Sequence, residues 1–121
     1  MELKKIEFNS LPIKEKLYEF ITEIKDYLFP NYFNEVKDKQ KVLDKCHHMF
    51  SKYVSKDKNI EDKFFNELDN IYNTLLTDLE MTYNSDPACI SVEEALITYP
   101  GIYAIITYRI SHVLYLLGLK V

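Results

Sequence analysis

At 121 residues the chain has room for one domain, because single cores usually form from roughly 100–200 residues. It is 47% hydrophobic and 28% charged, an ordinary globular balance, and two glycines with four prolines are too little turn chemistry for a many-stranded sandwich or barrel. A net charge of -4 argues against a nucleic-acid surface, which would normally be basic.

Long helices are therefore expected throughout. The lysines are mostly interleaved with acids, as in Lys56-Asp57-Lys58 and Glu61-Asp62-Lys63, and read as solvated helix faces. Two cysteines, Cys46 and Cys89, make no disulfide framework, so a reducing cytoplasm is the natural compartment. No signal peptide is expected, since Ile6, Phe8 and Leu11 are interrupted by polar residues.

Residues Met1 to Asn9 show no clear period and read as a loose lead-in. Ser10 can cap a helix with Pro12 in its first turn, where a missing N–H costs nothing. Ile13, Leu17, Phe20, Ile21, Ile24 and Leu28 then fall on one helical face, and Pro30 ends it. After the aromatic loop Asn31-Tyr32-Phe33, a weaker stripe of Val36, Leu43, Cys46 or His47, Phe50 and Val54 predicts a second helix over about 34–53.

Asn59 can cap a third helix, with Glu61 and Asp62 favouring its first turn. Its stripe of Phe64, Phe65, Leu68, Ile71, Tyr72, Leu75, Leu76 and Leu79 is the strongest in the chain and carries it to about Glu80 or Met81. Asp86-Pro87 breaks the pattern. Ser91 and Glu94 form a capping box for a short helix ending near Thr98, and Pro100-Gly101 resets the direction. The last helix runs from Ile102 to about Leu117 with Gly118 as its terminator. It is shorter than the roughly 20 residues a bilayer needs and carries Arg109 and His112, so it reads as a buried core helix. The fold expected is all-α, a bundle of four to five helices over residues 1–121, with the third and last helices central.

Few residues point to chemistry. Cys46-His47-His48 suggests a metal cluster, but consecutive helical residues diverge by about 100° and cannot converge on one ion, so no metal is expected. A nucleophilic cysteine is not supported either. Arg109 and His112, three apart, read as structural support, the arginine answered by Asp86 or a helix end. Asp86 opens an Asp-Pro turn, which serves either as a local cap or as a carboxylate presented to a ligand.

A family resemblance bears on that choice. Asp86-Pro87-Ala88, Ser91-Val92-Glu93-Glu94, Tyr99-Pro100-Gly101 with Ala104, and Tyr108-Arg109-Ile110 with His112, Leu114 and Tyr115 resemble the signature of serine O-acetyltransferases. The signature falls where the family's helical N-terminal domain meets its catalytic domain. Upstream, Leu28-Phe29-Pro30 with Tyr32 and Phe33, and Leu75-Leu76-Thr77-Asp78-Leu79-Glu80, are similar to the bacterial form of that domain.

The resemblance implies acetyl transfer from acetyl-CoA, a co-substrate, to L-serine, giving O-acetylserine for cysteine biosynthesis. It also implies homo-oligomers built as dimers of trimers, with no nucleic acid or membrane as partner. By position Asp86 holds the serine ammonium, with Pro87 and Ala88 shaping its turn, and the same carboxylate meets cysteine, the feedback inhibitor. Residues 83–118 would join this substrate-binding turn to the last helix.

The sequence ends at Leu119-Lys120-Val121, before any hexapeptide repeat of the family's left-handed β-helix and before its catalytic histidine. A helical N-terminal domain of a longer enzyme is therefore expected, with no catalytic residue or bound cofactor of its own and no turnover alone. Ile106, Ile110 and Leu117 are then expected to be exposed and to drive self-association. Two other readings stand beside this one, a non-catalytic helical oligomerisation or interaction module and a helix protein lying on a membrane surface.

Overall fold

The computed structural model describes residues 2–85, 91, 94, 96 and 101–119, with side chains from residue 14 onward. Among the described residues the chain is all-α and contains no strand. Helix α1 spans Glu2–Leu28, α2 Lys39–Met49, a π-helical turn Phe50–Val54, α3 Lys58–Asn66, α4 Leu68–Ser85 and α5 Ile102–Leu116.

Local chemistry sets these boundaries, and several differ from the sequence expectation. The backbone is helical from Glu2, so Pro12 lies inside α1 and residues 2–9 are not a loose lead-in. Glu2, Leu3, Lys4 and Lys5 all favour helix, and Pro12 forgoes only one backbone hydrogen bond. Helix α2 begins at Lys39 rather than near Asn34, because Asp38 caps it by accepting from the N–H groups of Gln40 and Lys41. Asn31, at φ 70, turns the preceding loop and accepts from the Val36 N–H through Oδ1 at 2.8 Å.

The cap of α3 is Asp57, not Asn59. Its carboxylate accepts from the N–H groups of Asn59 and Ile60, and its own N–H donates to Ser55 Oγ. Glu67 alone separates α3 from α4, so the predicted third helix is two. The end of α5 follows the expectation closely. Gly118, at φ 88, donates to the Tyr115 carbonyl while Leu119 donates to that of Leu114, so the last carbonyls are answered inside the chain.

The core begins with aromatic rings. Phe20 of α1, Phe50 of the π turn and Phe64 of α3 have no exposed surface, and their centroids lie 5.5–5.9 Å apart. The Ser55 N–H donates to the Phe50 carbonyl across five residues at 3.0 Å, and this wider turn accompanies Phe50's inward position. Leu68, Ile71, Leu75 and Leu79 give the buried face of α4.

Helix α5 buries Ile102, Ile106, Ile110 and Leu114, a strict four-residue spacing. Such a stripe rotates by about 40° at each step, so it meets more than one neighbour. It packs against both α4 and α1. Ile106 and Ile110 are therefore core residues, at 1% and 0% exposed, and not the docking face expected. The large exposed hydrophobic side chains of α5 are Tyr108, Tyr115 and Leu116.

Glu61 also departs from the expectation of a solvated face, being buried beside His47. Burial alone would raise its pKa, but hydrogen bonds from His47 Nδ1 at 2.7 Å and Lys58 Nζ at 3.2 Å hold it below the ordinary glutamate value. A depressed folded pKa stabilises fully above the unfolded value, and that contribution is lost as pH falls through the folded one. Urea stability of the unaltered protein should thus fall more steeply below about pH 4.5 than that of Glu61→Gln. Parallel pH profiles would show that Glu61 contributes nothing to acid sensitivity.

Candidate functional site

The two helices that bracket the Asp86-Pro87 region are α4, ending at Ser85, and α5, starting at Ile102. Asp86, Pro87, Ala88 and Cys89 lie outside the described residues, as does most of the short helix predicted to end near Thr98. Within that segment Glu94 and Leu96 are helical, and Leu96 is buried. The Glu94 N–H donates to Ser91 Oγ at 3.0 Å, which is the cap half of the expected capping box.

Beyond their apolar packing, α4 and α5 are joined by a planar ion pair. Arg109 Nε and Nη2 donate to Asp78 Oδ2 and Oδ1, each at 3.0 Å. The guanidinium fork matches the carboxylate bidentately, fixing orientation as well as distance. Asp78 raises the arginine's pKa through these hydrogen bonds. The partner is thus Asp78, 31 positions earlier, among the described residues, and not a helix end. Sequence reasoning missed it, although Asp78 sits in the stretch Leu75–Glu80 that carried part of the resemblance. A carboxylate between Leu75 and Leu79, on the buried side of α4, was the available signal.

Below this pair a small cleft of about 140 Å³ is lined by Glu67, by Asn70 and Thr74 of α4 and by Arg109 and His112 of α5. His112 is exposed and stacks on Tyr108 at 5.6 Å between ring centroids. Arg109 and His112 therefore share one helix face and one cleft, with the arginine committed to Asp78.

On the opposite flank, Tyr103 shares a hydrogen bond with Thr22 at 3.2 Å and its ring meets Tyr18. Lys25, only 6% exposed, lies 4.1 Å from the centroid of Phe33 and 4.7 Å from that of Tyr103, and burial lowers its pKa. The beginning of α5 is thereby tied to α1 by a hydroxyl pair and a cation held between two rings.

The histidine cluster does not converge. Cys46 is fully buried, its thiol pushed up to about 12 by desolvation, while His47 stacks on Phe65 at 3.6 Å and pairs with Glu61. His48 is exposed on another side. Among the described residues no group of three His, Cys, Asp or Glu side chains could hold a metal ion. No helix there is long and apolar enough to cross a membrane.

The ion pair yields a direct prediction. A charge-assisted hydrogen bond contributes about 1.5–3 kcal/mol, and Arg109 keeps 34% of its side-chain exposure, so the lower end applies. Asp78→Ala and Arg109→Ala should each cost about 1–2 kcal/mol in urea unfolding, with the double variant recovering about 1 kcal/mol of the sum. Strictly additive losses would show that the two side chains do not interact.

Comparison with known proteins gives two informative matches. The chain is 26% identical over 143 aligned residues to a plasmid serine acetyltransferase of Synechococcus elongatus, covering 93% of this chain and 45% of that protein. It is 43% identical over 47 residues to a serine acetyltransferase of Synechocystis, covering 39% of this chain and 19% of the relative. No protein-family model and no solved structure matches. The chain spans less than half the length of either curated relative. All-α among its described residues, the chain is similar over 93% of its length to one serine acetyltransferase and over 39% to another.

Proposed function

We propose that this chain is the helical part of a serine O-acetyltransferase and supplies one side of its serine site. The observation that carries the reading is the likeness to a serine acetyltransferase over 93% of the chain. The Arg109–Asp78 pair supports it, because it fixes the two helices that lead into and out of the Asp86–Gly101 segment.

In this reading Asp86 accepts hydrogen bonds from the ammonium of L-serine and orients its hydroxyl. The serine oxygen attacks the thioester carbonyl carbon of acetyl-CoA. A C–O bond forms, the C–S bond breaks, and the hydroxyl proton passes by way of a general base to the departing thiol. The base and the acetyl-CoA site belong to a hexapeptide-repeat β-helix, which these 121 residues do not contain, so the chain alone does not turn over. Pro87 and Ala88 shape the turn, the working compartment is the cytoplasm, and assembly is homo-oligomeric.

The experiment is Asp86→Ala in an enzyme carrying both parts. A carboxylate–ammonium hydrogen bond is worth about 1.5–3 kcal/mol, so kcat/KM for serine should fall roughly ten- to a hundredfold. KM for acetyl-CoA should change little, and inhibition by cysteine should weaken in parallel. Were Asp86 only a turn residue, Tm would fall with serine kinetics and cysteine inhibition intact.

A second reading, a non-catalytic helical oligomerisation module, draws on the exposed Tyr108, Tyr115 and Leu116 of α5. It requires Asp86→Ala to leave serine use untouched while substitutions at these three positions change the assembly state.

A further inference from the structure

A second cleft lies away from the Arg109–Asp78 pair. It encloses about 530 Å³ between the end of α1, the loop after it, the start of α2 and one side of α4. That volume falls within the range of clefts that take small organic ligands. Buried Leu28, Leu68, Leu79 and Leu96 line it together with Phe29. The half-exposed rings of Tyr32 and Tyr72 also line it, and Phe29 lies 5.5 Å from Tyr72 at a tilt of 38°.

Two charged residues line the cleft, and they are not equivalent. Asp69 stands in the first turn of α4, where the positive end of the helix dipole already answers a carboxylate. Lys39 is the first residue of α2, where the dipole disfavours a cation, and that first turn contains no acid. The nearest carboxylate in sequence, Asp38, is committed to the N–H groups of Gln40 and Lys41. Lys39 makes no ion pair among the described residues, and its Nζ rests 4.8 Å from the centroid of Tyr27, another lining residue. The uncompensated charge at the cleft is positive.

We propose that this cleft is a binding site for a planar aromatic or heteroaromatic small molecule bearing one anionic group, the rings held against Tyr72 and Tyr32 and the anion paired with Lys39. The site is separate from the serine reading and does not rest on it. Flat rings suit a cleft walled by tyrosines and leucines, and the acid supplies the missing partner of Lys39.

The test uses 2-naphthoate as the probe and its neutral alcohol analogue, 2-naphthalenemethanol, as the comparison. Both are titrated into the 121-residue chain while tyrosine ring signals are followed by NMR. Saturable shifts at Tyr27, Tyr32 and Tyr72 are expected, with the acid binding roughly three- to fivefold tighter than the alcohol, the weight of an exposed charge pair. Lys39→Met should abolish that preference, and Tyr72→Ala should weaken both ligands by about tenfold. Tyr115→Ala, on the exposed side of α5, should change neither, and circular dichroism confirms that each variant is folded. Absent or unsaturable shifts would overturn the proposal, as would a preference that survives Lys39→Met. The same rings shifting with protein concentration in the absence of probe would also overturn it, since a second copy would then fill the cleft.

Discussion

The bidentate contact between Arg109 and Asp78 is the constraint on which the reading of this molecule depends. Apolar burial brings α4 and α5 together, but leucine and isoleucine stripes tolerate sliding and rotation. A guanidinium fork on a carboxylate does not, because both hydrogen bonds are lost when either helix turns. The pair lies 31 residues apart in sequence and spans the segment that contains Asp86. It converts two packed helices into a frame with a defined orientation.

A second frame stands beneath it. Phe20, Phe50 and Phe64 join α1, the π turn and α3 through ring contacts with no solvent exposure. Helix α5 reaches this body through Tyr103, which meets Thr22, Tyr18 and the buried ammonium of Lys25. A lysine buried without an acid hydrogen-bonded to it is costly, and two aromatic faces offset part of that cost. The start of α5 is therefore fixed against α1 and its middle against α4. Both attachments matter for a functional reading in which the segment before α5 holds a substrate group.

Much of this was legible in the sequence, and the parts that were not share a cause. The stripe Leu68, Ile71, Leu75 and Leu79 and the glycine at the end of α5 are local signals, carried by periodicity and by one special φ value. The misplaced start of α3 is also local, but there two capping residues competed. Asp57 and Asn59 both suit a cap, and Ser55 favours Asp57 by taking its N–H. What no periodicity encodes is pairing across the fold. Arg109 with Asp78 and His47 with Glu61 join residues on different helices, so the sequence showed the charges without their partners. The same holds for Ile106 and Ile110, whose burial depends on α1 and α4 closing over a stripe that winds around α5.

Arg109 and Asp78 set the relation of α4 to α5 within one apolar core that both share with α1, the π turn and α3. Native-state hydrogen exchange on the Arg109→Leu variant addresses this most directly. Exchange should quicken in the last turns of α4 and through α5, while the amides around Phe20, Phe50 and Phe64 keep the protection of the unaltered protein. Equal acceleration across every helix, or none in α4 and α5, would contradict the claim that this pair sets their relation.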